Sequence, residues 1–436
     1  MGTLLRQGRV HCPDGARTAD LLIQADRISL IAEKIDPSSH EVIDCTGLEV
    51  LPGLIDAHVH FRDPGNPDKE TFASGSKAAA AGGVTTVLDM PNNVPPVCTP
   101  VDLEQKRRIA SSSHVNYGLY VLGYQDNLDH LACFENIPGI KVYLGSSTGN
   151  YLTEDLGVLI SILERARVPV VVHAENESLL KYFTSLHNNS HLHHKIRDPL
   201  CALVSVAEST LSADYFGKRL HLAHVSTRGE IEYLRRNKTH SITCEVSPHH
   251  LFLNEAFFLA EGNRGKMNPP LRRCEDQDAL WMGIEEGIVD MIATDHAPHS
   301  LTDKNLAYPE APCGVPGVQT LLPLLLNAVN ENRLSLERLV QLCSQRPAEV
   351  FGITNRGIIK CGYFADLVLV DMGMETVLRN EDQHSKCGWT PFHGMRVRGF
   401  PVKTLVNGTV IYEKGEVSSK HCGREVNFDN REGEPS

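Results

Sequence analysis

Apolar and polar positions divide the chain into two alternating ends and a differently patterned middle. Within residues 1–50, LLRQGRV, ADLLIQADRISLIAEKI and EVIDCTGLEV alternate in short runs separated by turn residues such as Pro13-Asp14-Gly15. A period of two with such punctuation predicts antiparallel strands. The pattern returns in residues 355–417, in GIIKCGYFADLVLVDM and MRVRGFPVKTLVNGTVIYEKGEV, where Asn407-Gly408 is a strong hairpin signal. Two β-rich ends around a different middle predict one small β-sandwich domain built from both termini. Residues 418–436, rich in Lys, Glu, Gly and Asn and closing on GEPS, predict a poorly ordered tail.

Over residues 51–354 short apolar runs alternate with longer helical segments, the βα signature of an α/β fold with a parallel sheet or barrel. Eight runs read as strands: GLIDAHVHF, GVTTVLDM, VNYGLYVLG, GIKVYLG, VPVVVHAE, LHLAHVS, SITCEVS and VDMIATD. Eight predicts a closed (β/α)8 TIM barrel. Helices are expected at Lys69–Ala81, at Thr153–Arg167 with Thr153 as N-cap, and at Leu200–Gly217, with further apolar helical stretches in 316–346.

Composition narrows the function classes. A formal charge of −12 over 436 residues, with no basic block, argues against nucleic acid or an anionic membrane as partner. The opening MGTLLRQGRVHCPDG lacks a signal pattern, and no apolar run approaches the roughly 18 residues of a membrane span, so a cytoplasmic protein is expected. The 12 cysteines lie singly, with no CxxC pair, which predicts reduced thiols. The 21 histidines are more informative because several cluster, in HVH, HAEN, HVST, PHH and DHAPH.

His58-Val59-His60 is the organising motif. In a strand, residues two apart share a face, so two imidazoles project side by side where an apolar run ends, forming half of a metal site. A single histidine in an apolar strand is more often a satisfied core residue than a ligand. Here, however, His173 ends the fifth expected strand, His224 the sixth and Asp295 the eighth, while Lys141 lies on the fourth and Asn92 follows the second. In a barrel those ends converge on one mouth, so distant residues can share one site.

The runs GLIDAHVHFRDPG, MPNN, KVYLG, HAEN, HVST, SPHH and ATDHAPH, with GYFADLVLVD and KCGWTPFHG near the C-terminus, resemble the cyclic amidohydrolases, most closely the dihydroorotases. The resemblance implies two Zn2+ per chain, one on His58, His60 and Asp295, the other on His173 and His224. Lys141, carboxylated by carbon dioxide, would bridge them together with a hydroxide, and Asp295 would be the catalytic proton carrier. Arg62, Asn92 and His299 are implied as donors to a substrate carboxylate, Asn268 as a contact to the ring, and Thr148 as part of a lid in GSSTGN. His249 and His250 could orient the metal ligands or be structural.

The implied reaction is the reversible cyclisation of N-carbamoyl-L-aspartate to L-dihydroorotate in pyrimidine biosynthesis. The partner is a small-molecule substrate, with a homodimer and association with other pyrimidine enzymes as the implied assembly. Two alternatives share much of the pattern. A hydantoinase or allantoinase would have the same metal ligands but no use for Arg62, and a non-catalytic scaffold would be expected to have lost ligands that this chain keeps.

Overall fold

The computed structural model describes residues 2–146, 151–187 and 192–429. Parallel strands run at Leu54–Val59, Val84–Asp89, Asn116–Leu119 continued by Val121–Leu122, Ile140–Tyr143, Val170–His173, Leu220–Leu222, Ile242–Val246 and Met291–Ile292. Each pairs with the next in sequence. The circle closes where the His60 amide donates to the His296 carbonyl at 2.8 Å. All eight expected strands are therefore present, and the fold is a (β/α)8 barrel with a β-sandwich domain made by both termini.

Alternation along the strands explains the layers. Val171 packs inside the barrel with Ile55, Ala57, Leu88, Tyr120, Ala223 and Met291. Its neighbours Val170 and Val172 face the helices with Leu220, Leu222, Ile162 and Val206. Both strand faces are apolar because both are covered. Full burial of each such aliphatic side chain is worth about 1.5–3 kcal/mol.

The helices begin where a side chain can satisfy their free amides. Thr71 caps Phe72–Ala81, forming a reciprocal box with Ser74, and Asp198 caps Pro199–Tyr215. The helix expected behind Thr153 starts later, at Leu156–Arg165, with Asp155 as its cap. Thr153 instead lies beside the fourth strand, its amide donating to the Tyr143 carbonyl and its buried hydroxyl bonding no helix amide.

In the terminal domain, Thr3–Cys12 and Gly15–Gln24 form an antiparallel hairpin. Glu49–Pro52 pairs antiparallel with Leu367–Val377, which joins the two ends of the chain in one sheet. Asn407 and Gly408 both have positive φ, 49° and 77°, and turn Arg396–Val406 into Thr409–Glu413, as an Asn-Gly hairpin requires. A separate core of Leu5, Val10, Leu21, Ile23, Val50, Leu367, Leu369 and Leu405 fills the domain. Arg356, ion-paired with Asp366 and bonded to Asn407, ties it to the barrel, because Asn407 in turn donates to Asn116 on the third strand.

The poorly ordered tail expected from 418 is not what residues 418–429 form. They cross the end of the barrel away from the catalytic mouth, with Val426 buried against Phe351 and Ile353, Glu425 ion-paired to Arg107 at 2.9 Å and bridges from Glu425 to Tyr117 and Phe428 to Ile353. Charged and glycine-rich composition hid one apolar pair, Val426 and Phe428, that closes the barrel floor. A chain ended after Ser418 should unfold at lower denaturant, with a loss of about 2–4 kcal/mol. An unchanged unfolding midpoint would mean that the segment lies on the barrel without supporting it.

Candidate active site

The strand ends bring six expected residues to one mouth. His58 and His60 leave the first strand with ring centroids 5.3 Å apart, the side-by-side arrangement their spacing demands. The His58 and His224 rings are 5.4 Å apart and the His173 and His224 rings 4.8 Å. Asp295 Oδ1 lies 3.0 Å from His60 Nε2 and 3.3 Å from His58 Nε2. His173 Nδ1 faces His224 Nε2 at 3.0 Å. These side chains line a narrow cleft together with Asn268, Ala297, Cys313 and Gly314. Two of the corner residues, His224 and Asp295, hold left-handed backbone, φ 39° and 47°, and Arg62 does the same at 60°. Such strain in non-glycine residues persists only where surrounding structure enforces it, and it clusters at functional sites.

Three of the four imidazoles are oriented through their far nitrogen. His58 Nδ1 meets Glu245 Oε1 at 2.5 Å, His60 Nδ1 meets Asn92 Oδ1 at 2.7 Å, and His173 Nε2 meets Glu175 Oε2 at 3.0 Å. The other nitrogen of each then presents its lone pair to the cleft, the arrangement that metal-binding histidines require. His224 Nδ1 is buried without a partner.

Electrostatics favour the same reading. Burial depresses His60 to about 4 despite Asp295 beside it, and burial likewise lowers His173 and His224, so these rings stay neutral and able to ligate at pH 7. Burial alone would raise Asp295, but His58, His60 and His224 hold its carboxyl well below the usual range. Lys141 is fully buried, and its Nζ has no hydrogen-bond partner. Desolvation pulls its amine down to about 8 against the pull of Glu245 and Asp295. Neutral imidazoles, an ionised carboxylate and an unpartnered lysine amine around one cleft fit a divalent metal centre, and the reachable donor atoms of His58, His60 and Asp295 lie within 4.8 Å of one another.

Beside this cluster stands Arg62, 7% exposed, its Nη2 3.2 Å from His299 Nε2 and its Nε without a partner. Burial lowers its affinity for the proton. Lys69 Nζ lies 3.3 Å from His299 Nδ1, and His299 Nε2 faces the Cys313 carbonyl at 3.1 Å as well as the Arg62 guanidinium. Asn92 is divided between two tasks, since its oxygen orients His60 while its Nδ2 is buried and unpartnered. Asn268 reaches the cleft with its Oδ1 3.0 Å from His193 Nε2. His250 bonds the Pro269 carbonyl at 3.1 Å, and its ring lies tilted against that of His249, centroids 4.4 Å apart. Thr148 lies outside the described residues.

The sequence reading did not single out Glu245 and Glu175. Glu245 also accepts from His221 Nε2 at 3.0 Å, so one carboxylate serves two imidazoles. Burial would raise both glutamates, but His58 and His221 hold Glu245 low, and Arg197 and His173 hold Glu175 low. The signal was a charged residue inside an apolar strand, SITCEVS, and another directly after one, VVVHAE.

Comparison with known proteins agrees with this geometry. Residues 50–411 match the amidohydrolase family. A dihydroorotase of Halobacterium salinarum is 38% identical over 94% of this chain and 97% of its own. One from Methanosarcina acetivorans is 36% identical over 95% and 93%. Among solved structures, the L-hydantoinase (dihydropyrimidinase) of Arthrobacter aurescens superposes with a TM-score of 0.94 at 29% identity, covering 98% of this chain and 99% of that one. With its histidines and Asp295 gathered at the strand ends, its terminal β domain and full-length similarity to dihydroorotases, the chain belongs to the amidohydrolase family.

Proposed function

We propose that the chain is a dihydroorotase, closing N-carbamoyl-L-aspartate to L-dihydroorotate and reopening it. Full-length similarity to dihydroorotases supports the reaction. The observation that carries the choice of substrate is Arg62. Among the described residues no carboxylate lies in ion-pair reach of this buried guanidinium, and a buried unpaired charge is costly. The ring carboxylate of dihydroorotate is the missing counter-charge, and a planar guanidinium fork suits it. Hydantoin and allantoin carry no such group.

In this reading His58, His60 and Asp295 would hold one zinc ion and His173 and His224 a second, with Lys141, once carboxylated, as a further anionic ligand for both. When bound, the ions supply an acidified water and polarise the ring amide carbonyl. Asp295, ionised at neutral pH, accepts a proton and returns it to the amide nitrogen as the ring opens, and the reverse accompanies closure. Arg62 and the free Nδ2 of Asn92 bind the carboxylate, with His299 packed beside the guanidinium. Asn268 contacts the ring. Glu245, Asn92 and Glu175 keep the imidazoles aimed. Six protein ligand groups exceed one tetrahedral site, so elemental analysis should find about two zinc ions per chain; a stable single equivalent in protein never exposed to chelator would remove the paired centre.

A lysine must be neutral to attack carbon dioxide. With its amine near 8, Lys141 is about half neutral at pH 8, whereas an ordinary lysine near 10.4 is under about 1% neutral there. Zinc reloading of chelator-stripped protein should therefore quicken with bicarbonate and between pH 6.5 and 8.5. Lys141→Ala should lose metal and nearly all activity, show no bicarbonate response, and recover in part with short carboxylic acids. Wild-type reloading that ignores bicarbonate would rule out the carbamate.

Arg62→Met tests the substrate. It should keep its metals and lose kcat/KM for dihydroorotate on the order of ten- to a hundredfold, since a hydrogen bond to a charged group is worth about 1.5–3 kcal/mol. Dihydrouracil, the analogue without the carboxylate, should suffer far less. Equal losses on the two substrates would show that Arg62 supports the barrel mouth and does not read the carboxylate.

A further inference from the structure

Arg197 is a buried cation that the proposed reaction leaves without a task. Its Nε donates to Glu175 Oε2 at 2.9 Å, and its Nη2 donates both to that oxygen at 2.6 Å and to the Ser146 carbonyl at 2.7 Å. The same Glu175 oxygen meets His173 Nε2. The exit of the fourth strand is fastened here too: the Leu144 amide donates to the His173 carbonyl at 3.0 Å, and the Ser146 amide to Glu177 Oε2 at 2.7 Å. Gly145 passes so close that a Cβ there would lie 2.3 Å from the Glu175 carbonyl oxygen. One guanidinium thus grips both the carboxylate that orients His173 and the segment leaving the strand of Lys141.

We propose that Arg197 is a positioning residue for the metal position formed by His173 and His224. Held by Arg197, Glu175 keeps the His173 proton on Nε2 and Nδ1 turned toward His224. The second grip, on Ser146, sets the distance between the Lys141 strand and the His173 strand. The inference rests on the paired metal centre proposed above. It adds an asymmetry: Arg197 acts directly on one metal position and reaches the other only by way of Lys141, because among the described residues no group that it hydrogen-bonds is bonded to His58, His60 or Asp295. A buried ion pair with a purely structural part would lower stability without distinguishing the two positions.

The test is zinc retention by the full chain against graded chelator, with the thermal midpoint measured in parallel, for wild type, Arg197→Met, Arg197→Lys and Glu175→Gln. Arg197→Met should release one of two ions at about ten- to a hundredfold lower chelator concentration, the usual effect of losing a partner that orients a ligand, while the other ion is weakened far less. Arg197→Lys should restore part of the retention. Two ions released as in wild type, or both weakened equally, would overturn the inference. If Arg197→Met does not fold, the shape-conserving Glu175→Gln decides by the same criterion. Wild type that holds only one ion would instead refute the paired centre itself.

Discussion

Taking a carboxylate out of water costs several kcal/mol unless donors surround it, and the mouth of this barrel is organised around one that is surrounded. Glu245, on the seventh strand and 1% exposed, bonds His58 of the first strand through one oxygen and His221 of the sixth through the other. The His224 amide approaches it as well, at 3.3 Å. A single buried charge therefore links three strands and fixes which nitrogen of His58 faces Asp295. Asp56 repeats the device below, accepting from the Thr294 amide at 3.0 Å and so placing the backbone one residue before Asp295. Glu175 does the same for His173. The orientation of these imidazoles is set by buried partners behind them.

Much of this was legible in the sequence, for definite reasons. A strand period of two makes His58 and His60 neighbours, and barrel closure makes strand ends neighbours, so His173, His224, Lys141 and Asp295 could be gathered from their positions alone. Residues that act through a second residue leave no such spacing. Glu245 lies inside an apolar strand with its partner His58 far away in the chain, whereas Glu175 sits two residues from His173 and nothing in HAEN marks it as that ring's hydrogen-bond partner. The start of the helix Leu156–Arg165 differs from expectation because Thr153 and Asp155 are both good caps, and the pairing of Thr153 with Tyr143 leaves Asp155 to accept from the Gly157 amide. Residues 418–429 were misread because composition describes a segment's average, whereas Val426 and Phe428 anchor it by position.

Sequence and structure comparisons point to two branches of the same family. By sequence the similar proteins are dihydroorotases, while by shape they include hydantoinases. The two results measure different things. Superposition is dominated by the barrel and the terminal domain, scaffold that many chemistries share. In the proposed reading, the distinction between a ring with a carboxylate and one without would rest on a few side chains at the rim, above all Arg62, too few to move a whole-chain superposition.

The left-handed backbone at His224 and Asp295 bears on what metals this scaffold could be made to hold. Aspartate, asparagine and histidine tolerate that conformation better than other side chains, and β-branched residues hardly at all. At these two corners the peptide chain filters the ligand before the ion does. Redesign toward a softer or harder metal by placing cysteine or glutamate there would have to overcome backbone strain as well as a change in coordination. His58, His60 and His173 lack that restriction, but each is bonded to a buried partner, Glu245, Asn92 or Glu175, that an exchange would leave unsatisfied.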